Sequence, residues 1–328
     1  MMIKIRNIFS LLIAIALCLL LSPLATVASE KDQILRIAVI SDLNHSYGTI
    51  GYDPPVRAAI KRVIEMKPDV VLCTGDMIAG QSTAPKLNRK KLEAMWHAFH
   101  ETVTRPLSDA GIAFAPSAGN HDGSALPGFQ LERDVYREQW EKNKKNLSLL
   151  DGGNYPFNYG FTMNGVLFAA LDATVAGSLP PVQMKWLGDV LAKEGQESIA
   201  RIVFGHLPVW SLTVGRERGI LRDTNLEQLF VEKSVSVYLS GHQHGFYPFY
   251  HNDQYYVGQA ALGSGPRRLI GQKNRSARAV TFIEIANDGT LNVTAYTGAD
   301  FKQVVQRSTL PPQITNNGIT IVRDDLDK

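Results

Sequence analysis

Five apolar runs of this 328-residue chain stop in the same way, at a small residue followed at once by a side chain able to bind a metal. The stops are Ser41-Asp42, Gly75-Asp76, Gly119-Asn120-His121, Gly205-His206 and Gly241-His242-Gln243-His244. The runs before them, such as "ILRIAVIS", "DVVLCT" and "VSVYLS", are short and apolar and read as buried strands. In open α/β sheets, loops from several strands converge beyond the carboxyl ends, and ligands bind there. Small residues let the backbone turn sharply at such places and bring side chains close. Each stop alone is an ordinary turn, since Ser, Asp and Asn commonly follow strands. Together they hold four of the eight histidines, and the full set points to a metal site assembled from distant segments.

Helical spacing alternates with these strands. It predicts helices over Pro54–Met66, Leu87–Leu107, Leu131–Asn143, Pro181–Ala192 and Asn225–Glu232, with a first strand over Ile34–Ile40. Asn164-Gly165 joins two short strands as a tight hairpin turn. The last third is β-rich, ending in "AVTFIEIA" and "LNVTAYT" around Asn287-Asp288-Gly289. No repeat or Pro/Ser-rich linker divides the chain, so one α/β domain over residues 29–328 is expected.

Residues 1–28 differ in kind. Lys4 and Arg6 precede an apolar run from Ile8 to Leu21, then Pro23 and "ATVAS". A basic start, a short apolar run and a small-residue end describe a secretory signal peptide, which places the mature protein outside the cell or in the periplasm, with no stable membrane span. An uncleaved N-terminal anchor is the alternative. Losing Lys4 and Arg6 takes the net charge from +3 to +1, which gives no reason to expect nucleic-acid binding. The mature chain would keep Cys73 alone, a core thiol rather than half of a disulfide.

The five stops resemble the calcineurin-like metallophosphoesterase superfamily, whose signature is Asp-x-His, Gly-Asp, Gly-Asn-His-Asp/Glu, a lone Gly-His and Gly-His-x-His. The likeness runs from Asp42 to His244, and only the first motif departs, with Asn44 where the family has His. The resemblance implies a four-layer α/β/β/α sandwich with two mixed β-sheets. It implies a small phosphorylated substrate, hydrolysed by hydroxide bound to two divalent ions (Mn, Fe or Zn). One ion would take Asp42, Asp76 and His244, with Asn44; the other would take Asp76, Asn120, His206 and His242. Asp76 is the implied bridge. His121 is the implied phosphate contact or proton donor, with Asp122 orienting its ring. A non-catalytic module on the same fold is the rival reading, and a scaffold has no need of the non-ligand His121.

Two details bear on specificity. "GHLPVWSLTVGRERGILRD" resembles the equivalent stretch of purple-type acid phosphatases, but Ala79 stands where those enzymes carry a metal-binding Tyr. Arg216, Arg218, Arg222, Arg267 and Arg268 are available to phosphate, although solvated surface charge is the simpler account of most. At the first stop, His45 follows Asn44, and one place further along a strand end points to the other face. Asn44 is therefore expected as the ligand, unless a turn re-aims His45.

Overall fold

Alternate residues of the first strand face different partners, and this splits the molecule into layers. In the computed structural model, which describes residues 33–143, 147–263 and 265–326, strand β1 (Gln33–Ile40) turns Leu35, Ile37 and Val39 to one side and Ala38 and Ile40 to the other. β1, β2 (Val70–Cys73) and β3 (Ala113–Pro116) run parallel. β4 (Tyr159–Met163), β5 (Val166–Ala170), β6 (Ala200–Gly205), β7 (Val237–Ser240), β8 (Tyr247–His251) and β9 (Gln254–Gly258) build a second sheet. β10 (Val280–Ala286), β11 (Leu291–Thr297) and β12 (Gln303–Val304) return to the first sheet, and β13 (Gln313–Asn316) and β14 (Ile319–Arg323) to the second.

The first sheet has the order β12-β11-β10-β1-β2-β3 and the second β13-β14-β8-β9-β7-β6-β5-β4. Both are mixed: β5, β6, β7 and β9 are parallel, while β10–β11 and β8–β9 pair antiparallel. Leu35, Ile37 and Val39 meet Phe161, Phe168, Ile202, Phe204 and Leu239 of the opposite sheet in one apolar layer. Ala38 and Ile40 instead pack with Val56 and Ile60 of α1 (Pro54–Met66) and with Leu92 and Trp96 of α2 (Arg89–Phe99). On the far face, Val203 and Tyr238 meet Leu187 of α6 (Pro181–Lys193) and Phe230 of α7 (Thr224–Glu232). The result is the expected α/β/β/α sandwich. Burying each Leu or Phe in these layers contributes about 1.5–3 kcal/mol.

The predicted helix over Leu87–Leu107 is broken. After α2, His100–Thr104 forms a π-turn before α3 (Arg105–Asp109). The wider turn coincides with Pro106, which has no N–H to donate. A one-turn helix, α4 (Asn120–Gly123), follows β3, and α5 (Gln130–Lys142) covers the first sheet. Asn164 (φ 48°) and Gly165 (φ 75°) make the expected tight turn. The hairpin β13–β14, turned at Asn317 (φ 51°) and Gly318 (φ 79°), was not anticipated. The described residues from Ile34 onward form one compact unit, and no helix among them is long and apolar enough to cross a membrane. The expected signal peptide lies outside the described residues.

Candidate metal centre

All five stops fall at one edge of the two sheets, where β1, β2, β3, β6 and β7 end. The chain turns there through the left-handed region at Asp42 (φ 51°), Asp76 (φ 56°), His242 (φ 63°) and His244 (φ 55°). Two glycines make the approach possible. A Cβ on Gly75 (φ 97°) would stand 2.6 Å from Nδ1 of His206, and one on Gly119 would stand 2.1 Å from the Asp76 amide.

Three side chains converge on one nitrogen of a fourth. His206 Nε2 lies 2.9 Å from Asn120 Oδ1, 3.2 Å from His242 Nδ1 and 3.3 Å from Asp76 Oδ1. A second pair stands beside them, with Asp42 Oδ1 3.2 Å from His244 Nε2. The His242 amide donates to Asp42 Oδ2 at 3.1 Å and so joins the two groups. Asn44 is buried at the same turn, its amide donating to the Asp76 carbonyl at 3.1 Å. His45 is exposed and pairs with Asp53 at 3.3 Å, away from these groups.

The surroundings fit divalent cations. His206 Nδ1–H donates to the Thr74 carbonyl at 2.8 Å and His244 Nδ1–H to the Gly265 carbonyl at 3.0 Å. Backbone carbonyls thus fix both tautomers and leave Nε2 to coordinate, the usual support of a metal-binding imidazole. Asp42 Oδ1 is buried yet accepts no hydrogen bond, an arrangement that is costly unless a cation completes it. Its other oxygen accepts from Ser41 Oγ at 2.6 Å, and that hydroxyl is in turn held by Thr74. Asp76, His206 and His242 could hold one ion between them.

The electrostatics are those of an anionic pocket. Burial works to raise Asp42 and Asp76, but the His244 charge, for Asp42, and the His206 and His121 charges, for Asp76, hold them below the usual carboxylate range. Burial opposes charge on His206, yet Asp76 and Asp42 lift it to about 9. Burial, with the His206 charge adding to it, pushes His242 down to about 3.

His121 borders the centre without joining the convergent set. Its amide donates to Asp76 Oδ1 at 2.9 Å, and ring Nε2 lies 3.8 Å from Asp76 Oδ2. The expected pairing of Asp122 with the His121 ring is not made. Nδ1–H donates to the Gly80 carbonyl at 2.9 Å instead. The Asp122 carboxylate, on the first turn of α4, accepts from the Ile78 amide at 2.8 Å and the Gly119 amide at 3.0 Å. Burial, reinforced by nearby Asp76, pushes it up to about 7. Asp122 therefore ties the second and third stops together rather than orienting a base.

Gln243 was read from the sequence only as a spacer. It is fully buried, and its Oε1 accepts from the Leu212 and Thr213 amides at 3.1 and 2.9 Å. An amide side chain between two ligand-type histidines was the available signal.

The model of the calcineurin-like phosphoesterase family matches residues 35–246, and the chain belongs to that family. Purple acid phosphatase 15 of Arabidopsis thaliana is 23% identical over 231 residues, covering 67% of this chain and 42% of that protein. The purple acid phosphatase PPD1 from yellow lupin (Lupinus luteus) seeds shares 14% identity at a TM-score of 0.65, covering 83% of this chain and 52% of that one. A dimetal phosphatase from Danio rerio shares 13% at a TM-score of 0.54, covering 84% and 98%. The structural likeness is one of fold, and this chain spans less than half the length of the Arabidopsis phosphatase.

Proposed function

We propose that this chain is an exported phosphoesterase that hydrolyses small phosphate esters at a two-metal centre. The observation that carries this reading is the convergence of Asp76, Asn120 and His242 on His206 Nε2, beside a buried Asp42 oxygen that accepts no hydrogen bond. Asp76, Asn120, His206 and His242 would hold one ion; Asp42, His244 and Asn44 would hold the other, with Asp76 as the bridge. When bound, such ions lower the pKa of water to roughly 7 and neutralise the phosphate oxygens.

The rest is work for the chain's own residues. The Gly80 carbonyl fixes the His121 tautomer, so Nε2 is the atom presented to the centre. Protonated there, it can give its proton to the leaving oxygen as a general acid. Tyr47 covers the outer side of that ring, with centroids 5.1 Å apart. Small Ala79 is buried and supplies no phenolate, so the reading does not extend to a purple, tyrosinate-bound iron. The basic leader and apolar run of residues 1–28 support export. The test is an assay of the purified protein, with Mn added, against phosphomonoesters, diesters and nucleotides. Hydrolysis of none of them, or hydrolysis that survives exhaustive chelation, would overturn it.

A further inference from the structure

Two loops close over the candidate centre and carry arginines to it. Thr213 pairs antiparallel with Leu269, with the Val214 amide donating to the Arg268 carbonyl at 3.0 Å and the Ile270 amide to the Leu212 carbonyl at 2.9 Å. The pairing ends where the first loop turns back at Gly215 (φ 81°), and a Cβ on Gly219 would stand 2.6 Å from Nε2 of His242, so the loop that carries Arg216 lies against the same histidine. Gln243 fastens the first loop from below: its Nε2 donates to the Arg216 carbonyl at 3.0 Å and the Gly219 carbonyl at 3.3 Å. The second loop is fastened to the histidines themselves. The Arg267 amide donates to the His244 carbonyl at 3.2 Å, and its guanidinium Nη1 donates to the His242 carbonyl at 2.5 Å.

Arg267 is therefore a part-buried cation held against the backbone of two ligand-type residues. Arg133 and Arg307 each meet a carboxylate, Asp172 and Asp324. Among the described residues, Arg216 and Arg267 form no such ion pair. Asp42 and Asp76 lie near enough to favour the Arg267 charge while Arg216 opposes it, and an anion bound at the two guanidiniums would offset that repulsion. Phosphate suits the planar fork of arginine.

We propose that Arg267, with Arg216 beside it, anchors the substrate's phosphoryl oxygens and makes the site prefer dianionic phosphomonoesters to monoanionic diesters. The inference rests on the phosphoesterase reading above. A monoester carries its second negative charge above a pKa of about 6. A diester lacks that charge, so it draws less from an added guanidinium.

The test uses the metal-loaded full chain as wild type, Arg267→Gln and Arg267→Lys. The measurements are kcat/KM for p-nitrophenyl phosphate and for bis(p-nitrophenyl) phosphate, metal content, and the Kd of inorganic phosphate by calorimetry. Arg267→Gln should lower the monoester-to-diester ratio by about 10- to 100-fold and weaken phosphate binding by a similar factor. Arg267→Lys should recover part of both, and metal content should not change. An unchanged ratio with unchanged phosphate affinity overturns the proposal. Equal losses on both esters, accompanied by loss of metal, also overturn it, because Arg267 is then a strut for His242. If Arg267→Gln does not fold, exposed Arg216→Gln must lower the ratio in its place, and no change there overturns the proposal too. A wild-type protein that cleaves neither ester but binds phosphate through Arg267 would remove the hydrolytic reading and leave the anchor standing.

Discussion

His242 Nδ1 stands 3.2 Å from His206 Nε2, so two imidazole nitrogens from neighbouring strand ends point at the same space. Only a shared proton or a shared cation accounts for that arrangement. Under saturating conditions, metal analysis should find close to two ions per chain. Asp76→Ala should lose metal as well as turnover, since a bridging carboxylate serves both ions. Full metal content in Asp76→Ala would remove the bridge from the scheme.

His121→Ala should keep its metal and lose turnover by about 10²- to 10⁴-fold, the usual loss for a general acid or base. Emptying of the centre in this variant would make His121 a ligand.

Asp122 predicts the opposite behaviour. Asp122→Ala leaves the Ile78 and Gly119 amides buried without an acceptor, at about 1–3 kcal/mol each. Asp122→Asn keeps one acceptor and should lose roughly half as much stability. Denaturant unfolding of the two variants measures this. An unshifted midpoint combined with lost turnover would return the carboxylate to the chemistry.

His45 pairs with Asp53 on the surface while Asn44 is buried at the turn. Metal titration of His45→Ala should therefore match wild type within about twofold. An amide oxygen suits Mn or Mg better than the later metals that imidazole favours, so Asn44→His should tighten one site and shift it towards Zn. Loss of one ion in His45→Ala, with Asn44→Ala silent, would reverse the assignment.

His100 offers a pH test far from the centre. Burial lowers its pKa to about 4, among the rings of Trp96, Phe99 and Trp140. A base with a depressed folded pKa is fully compatible with folding above its unfolded value of about 6.5. As pH falls from there towards 4, the unfolded chain takes up a proton that the native chain refuses. Stability should drop by about 2 kcal/mol across that window, allowing for partial exposure. His100→Asn, which can still bond Thr104, should lose that share of the pH dependence in thermal unfolding. Parallel pH profiles for the two proteins would contradict the assignment.

The alternation of strands and helices and the convergence of five stops were legible because they depend on local pattern: short apolar runs, helical spacing and small residues before donors. The four-layer sandwich came from the family resemblance those stops carry. The same locality explains the failures. The β13 run "QITN" alternates too weakly to announce an edge strand, although Asn317-Gly318 carried the same turn signal as Asn164-Gly165. Asp122 looked like a partner for its neighbour in sequence, whereas its acceptors serve Ile78, 44 residues away, and Gly119. Arg267 read as surface charge because nothing near it in sequence shows that its guanidinium reaches the carbonyl of His242.

Asp42, Asp76, His242 and His244 all occupy backbone conformations that a side chain disfavours. The protein holds its metal-type donors in postures that glycine would adopt at less cost. Alanine at Asp42 or His244 would inherit the backbone penalty along with the lost donor, whereas glycine would lift it, by roughly 1 kcal/mol per position. A glycine knockout is thus the sharper instrument for separating chemistry from folding. An inactive chain that outlasts its active parent on heating would reveal how much resilience this fold gives up to keep its donors in place.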